Sequence, residues 1–182
     1  MDFKLTDVQL LELIELNKES GFRSLMHQYQ EQTYWHIRRM VTTHEDADDV
    51  VQNTFIKVFK NLDKFKGDSK LYTWIYRIAT NESLTYLKNR KKRHSESIDE
   101  TENNIENKLV ADAYFDGDSI QLLLQKAIIG LPDKQKAVFN LRYYEEMPYR
   151  DMSEILETSV GALKASYHHA VKKIEEFIKN GK

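Results

Sequence analysis

Residues 43–55 read THEDADDVVQNTF and place one histidine and four carboxylates within positions 43–49. His44, Asp46, Asp48 and Asp49 are residue types that give a divalent cation oxygen and imidazole ligands, the chemistry of a metal-dependent hydrolase. The same acids suit the first turn of a helix, where unpaired N–H groups favour negative charge, and Thr42 with Glu45 has the spacing of a capping box. The next turn bears on the choice. On a helix running through residue 60, Ala47, Val50, Val51, Phe55, Val58 and Leu62 form a buried stripe, while Asp49, Gln52, Asn53, Ile56 and Lys60 recur on a second face. That mixture of amides with one exposed aliphatic is more like a contact surface than a merely solvated one. A hydrolase also calls for a second histidine–carboxylate cluster at matching spacing, which the chain lacks.

A second chemistry lies between Lys57 and Arg93, where eleven Lys or Arg stand against Asp63, Asp68 and Glu82, a balance of +8. A basic run such as KNRKKR, standing alone, reads as a solvated helix end. Here Tyr72, Trp74, Tyr76 and Tyr86 are interleaved with Lys66, Lys70, Arg77 and Lys88. Cations that hold phosphates and aromatic faces that stack bases are what a nucleic-acid surface needs. A third candidate surface lies near the carboxy terminus. In TSVGALKASYHHAVKKIEEFI, the residues Val160, Leu163, Tyr167, Ala170, Ile174 and Phe177 turn inward, and Lys164, Ala165, His168, His169 and Lys172 turn outward. With the short helix PYRDMSEILE before it and a tight break at Thr158 and Ser159, this pattern resembles a helix-turn-helix.

These surfaces need rigid elements to hold them. Two prolines, six glycines and little β-like alternation point to an all-α chain of 182 residues, with 41% hydrophobic content to build its cores. Residues 6–17 form a short helix with Thr6 and Gln9 spaced as a capping box, and Gly21 interrupts before a second helix marked by Phe22, Leu25, Met26, Tyr29, Ile37 and Met40. The DADDVVQ helix is third, and a fourth runs over roughly 70–93. Residues 95–118 carry eight acids against Lys108 and read as a flexible acidic linker between two small helical domains, the second a helix-turn-helix domain opening at Leu131-Pro132. There is no cysteine for a disulfide or a thiolate metal site. No run has the length of a membrane span, and the amino terminus is acidic where a secretory signal is basic. The expectation is a cytoplasmic protein without membrane insertion.

DADDVVQNTFIKVFKNLDKFKGDSKLYTWIYRIATNESLTYLKNRKKR resembles the second conserved region of the extracytoplasmic-function (ECF) sigma factors of bacterial RNA polymerase. LPDKQKAVFNLRYYEEMPYRDMSEILETSVGALKASYHHAVKKI resembles their fourth. The likeness implies three parts. Residues 1–94 form a domain for core polymerase binding and minus-ten recognition and melting, residues 95–118 the acidic linker, and residues 119–182 a domain for the minus-thirty-five element. Asp49, Gln52, Asn53 and Ile56 then face the clamp coiled coil of the beta-prime subunit. Phe65, Lys66, Gly67, Asp68, Ser69, Tyr72, Trp74, Arg77, Asn81 and Lys88 meet the melted minus-ten strand, with KFKGDS shaping a pocket for an extruded base. Lys164, Ala165, Ser166, His168, His169 and Lys172 enter the major groove upstream. The linker passes towards the polymerase active centre. An anti-sigma factor is a further candidate partner, and the reading calls for no cofactor, no metal and no catalytic residue.

Two departures stand out. The recognition helix lacks the arginines common in the family, and with them the bidentate fork to guanine. Glu157 sits where a glycine is common in the turn, so a differently shaped turn is expected. With Lys182 soon after Phe177, no accessory domain is expected beyond the second helical domain. A stand-alone helix-turn-helix regulator is the alternative, and it leaves the DADDVVQNTF face and the aromatic-basic helix unused.

Overall fold

The computed structural model describes residues 4–41, 43–96 and 119–180. Among these, every regular element is helical. Helix α1 (Asp7–Leu16) starts with both halves of the expected capping box: the Gln9 N–H donates to Thr6 Oγ1 at 3.3 Å and the Thr6 N–H to Gln9 Oε1 at 2.9 Å. Asn17 ends α1 and starts α2 (Lys18–Met40), its side chain accepting from the Ser20 N–H at 2.9 Å. Gly21 was expected to interrupt the chain, yet it lies inside α2. A Cβ there would come within 2.5 Å of the Ile14 backbone, so the glycine lets α1 and α2 touch.

Helix α3 (His44–Asn61) is capped by Thr43, whose Oγ1 accepts from the Asp46 N–H at 3.1 Å. The cap is thus one residue later than the Thr42–Glu45 spacing suggests, and Thr42 lies outside the described residues. All six positions of the expected stripe, Ala47, Val50, Val51, Phe55, Val58 and Leu62, are buried. A 3-10 turn (Leu62–Lys64) and a loop with Gly67 at φ 76° lead into α4 (Leu71–Glu96). Asp7 of α1 accepts from the Leu71 N–H at 2.9 Å, so a carboxylate from another helix satisfies the first N–H of α4. Leu10, Leu25, Ile37, Phe55, Val58, Leu71 and Ile75 meet in one core, each worth about 1.5–3 kcal/mol of apolar burial. His36 is enclosed beside them, its Nε2 2.9 Å from Thr80 Oγ1, and burial pushes its pKa down to about 3.

The second unit contains α5 (Ser119–Ile129), α6 (Asp133–Tyr143), α7 (Tyr149–Leu156) and α8 (Val160–Asn180). Pro132 and Pro148 stand immediately before α6 and α7, where a missing N–H costs no helical hydrogen bond. Leu163, Ala170 and Ile174 of α8 are buried and Tyr167 partly so, but Val160 and Phe177 stay 39% and 43% exposed. The inward reading fails at these two ends because Val160 is the first residue of α8, before its packed turns begin, while Ile178, one position after Phe177, takes the place against the core. Glu157 itself adopts the left-handed conformation, φ 49° and ψ 43°, that a glycine would favour between α7 and α8. Most of the acidic stretch 95–118 lies outside the described residues.

The two units pack on each other. Tyr76 of α4 is fully buried and belongs with Val138, Leu141, Met147, Met152, Ile155 and Leu163 of the second unit. Its hydroxyl donates to Glu145 at 2.9 Å, and Arg39 reaches the other carboxylate oxygen at 2.8 Å. The Asn140 side chain donates to the Arg39 carbonyl at 3.1 Å, and Lys91 pairs with Asp133 at 2.7 Å. Burial pushes the Glu145 carboxyl up, and its bonds to Tyr76 and Arg39 pull the other way.

Candidate nucleic-acid interface

On α3, burial of the apolar stripe leaves Asp49, Gln52, Asn53 and Ile56 pointing outward, Ile56 being 44% exposed. The neighbouring acids are otherwise engaged. Asp46 reaches Arg90 of α4 at 3.3 Å, and Asp48 lies 3.3 Å from His44, whose other ring nitrogen is 2.7 Å from the Tyr34 hydroxyl. The cluster is therefore spread around the helix, and among the described residues no three His, Asp or Glu gather as a metal-ligand set. Asp49 has no ion-pair partner, and Gln52 and Asn53 make no side-chain hydrogen bond, among the described residues.

The loop before α4 is built on an aromatic floor, with the Phe65 and Trp74 ring centroids 5.2 Å apart. Gly67 takes a positive φ there, and Lys66, Gly67 and Asp68 are exposed. A cleft of about 300 Å³ opens beside it, lined by Asp68, Ser69, Thr73, Trp74 and Arg77 and, from α7, by Glu154. That volume is at the small end of ligand sites. Asn81 and Lys88 lie further along α4, exposed. Tyr72 is half-buried with its ring 4.5 Å from that of Tyr76, and burial beside Glu145 and Asp151 raises its pKa. Tyr76 corrects the sequence reading: grouped there with the base-stacking aromatics, it is wholly enclosed between the two units.

Three features of this region were not foreseen. Arg77 is ion-paired with Glu157, Lys70 lies 3.4 Å from Asp151, and Glu154 borders the cleft between them. The signal was present in the sequence, since 151, 154 and 157 recur at the spacing of one helix face.

On α8, Lys164, Ala165, His168, His169 and Lys172 are exposed and Ser166 is half-buried. The Lys164 ammonium lies 5.8 Å from the centre of the Tyr149 ring on α7, a cation–π distance. The His168 and His169 rings sit 6.0 Å apart. The Ser159 hydroxyl accepts from the Ala162 N–H at 3.3 Å and so caps the start of this helix.

Residues 25–93 match the family profile described as Sigma-70 region 2, and residues 121–174 match Sigma-70, region 4. The chain is 30% identical over 193 residues to the ECF RNA polymerase sigma-E factor of Haemophilus influenzae, covering 96% of each. It is 31% identical over 165 residues to the ECF RNA polymerase sigma factor SigW of Bacillus subtilis, covering 85% of this chain and 87% of that one. Among solved structures it resembles the sigma factor RpoE in complex with the anti-sigma factor NepR from Bartonella quintana, at TM-score 0.70 and 20% identity over 87% of this chain and 96% of that one. It also resembles CnrH in complex with the cytosolic domain of CnrY, at TM-score 0.70 and 19% identity over 97% and 99%.

Proposed function

Because the chain belongs to the ECF sigma factors, the subunits that direct core RNA polymerase to promoters and assist melting and initiation, we propose that its three surfaces divide that work between polymerase, single strand and duplex. Residues 1–94 are the polymerase and minus-ten unit, 95–118 the linker, and 119–182 the minus-thirty-five unit. The open face of α3, Asp49, Gln52, Asn53 and Ile56, docks on the beta-prime clamp coiled coil, with Ile56 giving apolar contact at its centre. The loop from Phe65 to Ser69, with Tyr72, Trp74, Arg77, Asn81 and Lys88, receives the melted minus-ten strand. An extruded base enters the cleft beside Trp74 and Arg77, and holding it offsets the few kcal/mol that unstacking costs. Lys164, Ala165, Ser166, His168, His169 and Lys172 enter the upstream major groove.

The observation that carries this reading is the coincidence, on α4 and its preceding loop, of a small cleft, an aromatic wall and a row of cations. Sigma factors are transcription initiation factors, and this one works as a specificity subunit with no catalytic residue of its own. No described helix is long and apolar enough to cross a membrane. We place its action in the cytoplasm, with core polymerase, promoter DNA and an anti-sigma factor as partners. The last follows the relative RpoE, which was solved with one. A stand-alone helix-turn-helix regulator is not favoured, because it gives the α3 face no task.

The test is to add the purified chain to core polymerase and map transcripts that newly appear on a genomic template. On a promoter so found, Arg77→Ala with Asn81→Ala should leave upstream recruitment intact and reduce open complexes, and a pre-melted bubble template should partly restore initiation. No new transcript from the parent protein, or no restoration on the bubble, would overturn the assignment.

A further inference from the structure

We propose that the first turn of α6, where it meets the end of α4, is a binding site for a small phosphate-type anion, with the Lys136 ammonium as its fixed charge. Lys136 is 5% exposed, yet its ammonium makes no hydrogen bond and no ion pair with any described residue. A lysine is almost never enclosed without a partner, because the charge gives up its hydration and gains nothing in return. The neighbouring acids are already engaged. Asp133, one turn earlier, is held by Lys91 at 2.7 Å, and Asp46 of α3 by Arg90 at 3.3 Å. Arg90, Lys91 and Lys136 thus stand against two carboxylates, and one positive charge is left over.

The place of Lys136 on its helix fixes where that charge points. Side chains lean towards the amino end of a helix, so the fourth residue of α6 reaches back over the first turn. Its surroundings agree: burial holds the Lys136 pKa below the ordinary lysine range, Asp133 pulls it up, and Lys91 and Arg90 push it down. That turn is also short of acceptors. Pro132 precedes it without a side-chain cap, and the first helical bond is the one that the Lys136 N–H gives to the Pro132 carbonyl at 2.9 Å. The N–H groups of Asp133, Lys134 and Gln135 come before that bond and have no acceptor within the helix. Backbone N–H groups at a helix start, joined by an ammonium, are the donor set that holds phosphate oxygens. The stem of Lys136 has little room to swing away, since Ala137 sits in the first unit's core and Asn140 donates to the Arg39 carbonyl. An anion there turns an enclosed, uncompensated charge into a paired one. None of these residues belongs to the three surfaces assigned above, and the ligand is inorganic phosphate or the terminal phosphate of a small phosphomonoester.

The test uses the full chain near neutral pH, with KCl holding the ionic strength constant while potassium phosphate rises to about 20 mM. The unfolding temperature of the parent should climb and saturate, by about 2–4 °C at about ten times the dissociation constant, and the phosphorus-31 line of phosphate should broaden in its presence. Lys136→Met keeps the length of the side chain and drops its charge. It should lose both responses while melting no lower than the parent in chloride alone. Lys134→Met, exposed on the same turn, makes the same charge change and should keep both. Equal responses in the parent and Lys136→Met would overturn the site. So would an unbroadened phosphorus line with the parent, a result that decides the matter even where Lys136→Met does not fold. A random-sequence duplex is the remaining arm: if it binds Lys136→Met more weakly than Lys134→Met while inorganic phosphate leaves the parent unmoved, the lysine serves a nucleic-acid backbone and the small-anion site is overturned.

Discussion

The outer faces of α3 and α4 belong to adjacent helices, and the protein treats them oppositely. The α3 face leaves Asp49, Gln52, Asn53 and Ile56 bare, whereas α4 gives Tyr76 to an inter-unit core and Arg77 to Glu157. What differs is the partner each helix finds within the chain. No described residue of the second unit hydrogen-bonds to the Asp49, Gln52 or Asn53 side chains, whereas Asp151 and Glu157 pair with Lys70, just before α4, and with Arg77 on it. The comparison teaches that exposure in the sequence pattern does not decide exposure in the fold: of two adjacent helices with outward polar faces, one stays open and the other is met by the second unit.

The strongest way to break that contrast is Tyr76→Ala. Truncating a fully buried aromatic costs about 3–5 kcal/mol. The loss falls on the contact between units, so thermal unfolding should change from one transition to two, each domain keeping its helical circular dichroism. A single transition shifted by less than about 2 °C would mean that the units do not support each other through Tyr76.

The α3 half of the comparison is sharpened by Asp49→Ala with Gln52→Ala. Good contacts at an interface centre are worth about 2 kcal/mol or more, and exposed helix positions change stability by about 0.5 kcal/mol. Affinity for core polymerase should drop at least about thirtyfold in a fluorescence titration, with the melting temperature nearly unchanged. Undiminished affinity would move the docking face elsewhere.

Acid acts through His36, which backs the contact with its ring 4.9 Å from Tyr76. Its folded pKa of about 3 lies below the ordinary 6.5, so below pH 6.5 the unfolded chain holds more protons than the folded one. The neutral histidine's contribution is complete above pH 6.5 and is lost as pH falls from 6.5 towards 3, at up to about 1.4 kcal/mol per pH unit. Urea titrations of the parent and of His36→Gln between pH 7 and pH 5 should show the steeper decline in the parent. Parallel declines would remove His36 as the cause.

The smallest effect is expected from Glu157→Gly. Relief of a left-handed non-glycine residue is worth about 1 kcal/mol, and glycine's greater freedom in the unfolded chain offsets much of that. The net stability change should be within about 0.5 kcal/mol, because the lost Arg77 pair is exposed and contributes little. A loss above about 1 kcal/mol in urea titrations would show that this pair contributes more than its exposure allows.

Helix placement was legible because its causes are local. The Thr6–Gln9 box, the α3 stripe and the prolines before α6 and α7 act within a turn or two of their own residues. The errors share a different origin. Gly21 was read as a break because its partner, Ile14, sits on another helix, and Tyr76 was read as a base-stacking aromatic because the side chains that enclose it lie more than 60 residues later. Interleaved aromatics and cations mark a surface without saying which ring the fold will bury. The shape of the 157 turn was legible as a question only: Glu157 takes the glycine-like conformation, and its side chain becomes a ligand for Arg77.

The chain has two tryptophans, Trp35 and Trp74, both on the first unit. Trp74 lines the cleft to which Glu154 of the second unit also contributes, whereas Trp35 sits against Tyr34, ring centroids 5.1 Å apart, within α2. The two indoles therefore sit in different surroundings, and a change at the cleft should move the emission of Trp74 rather than that of Trp35.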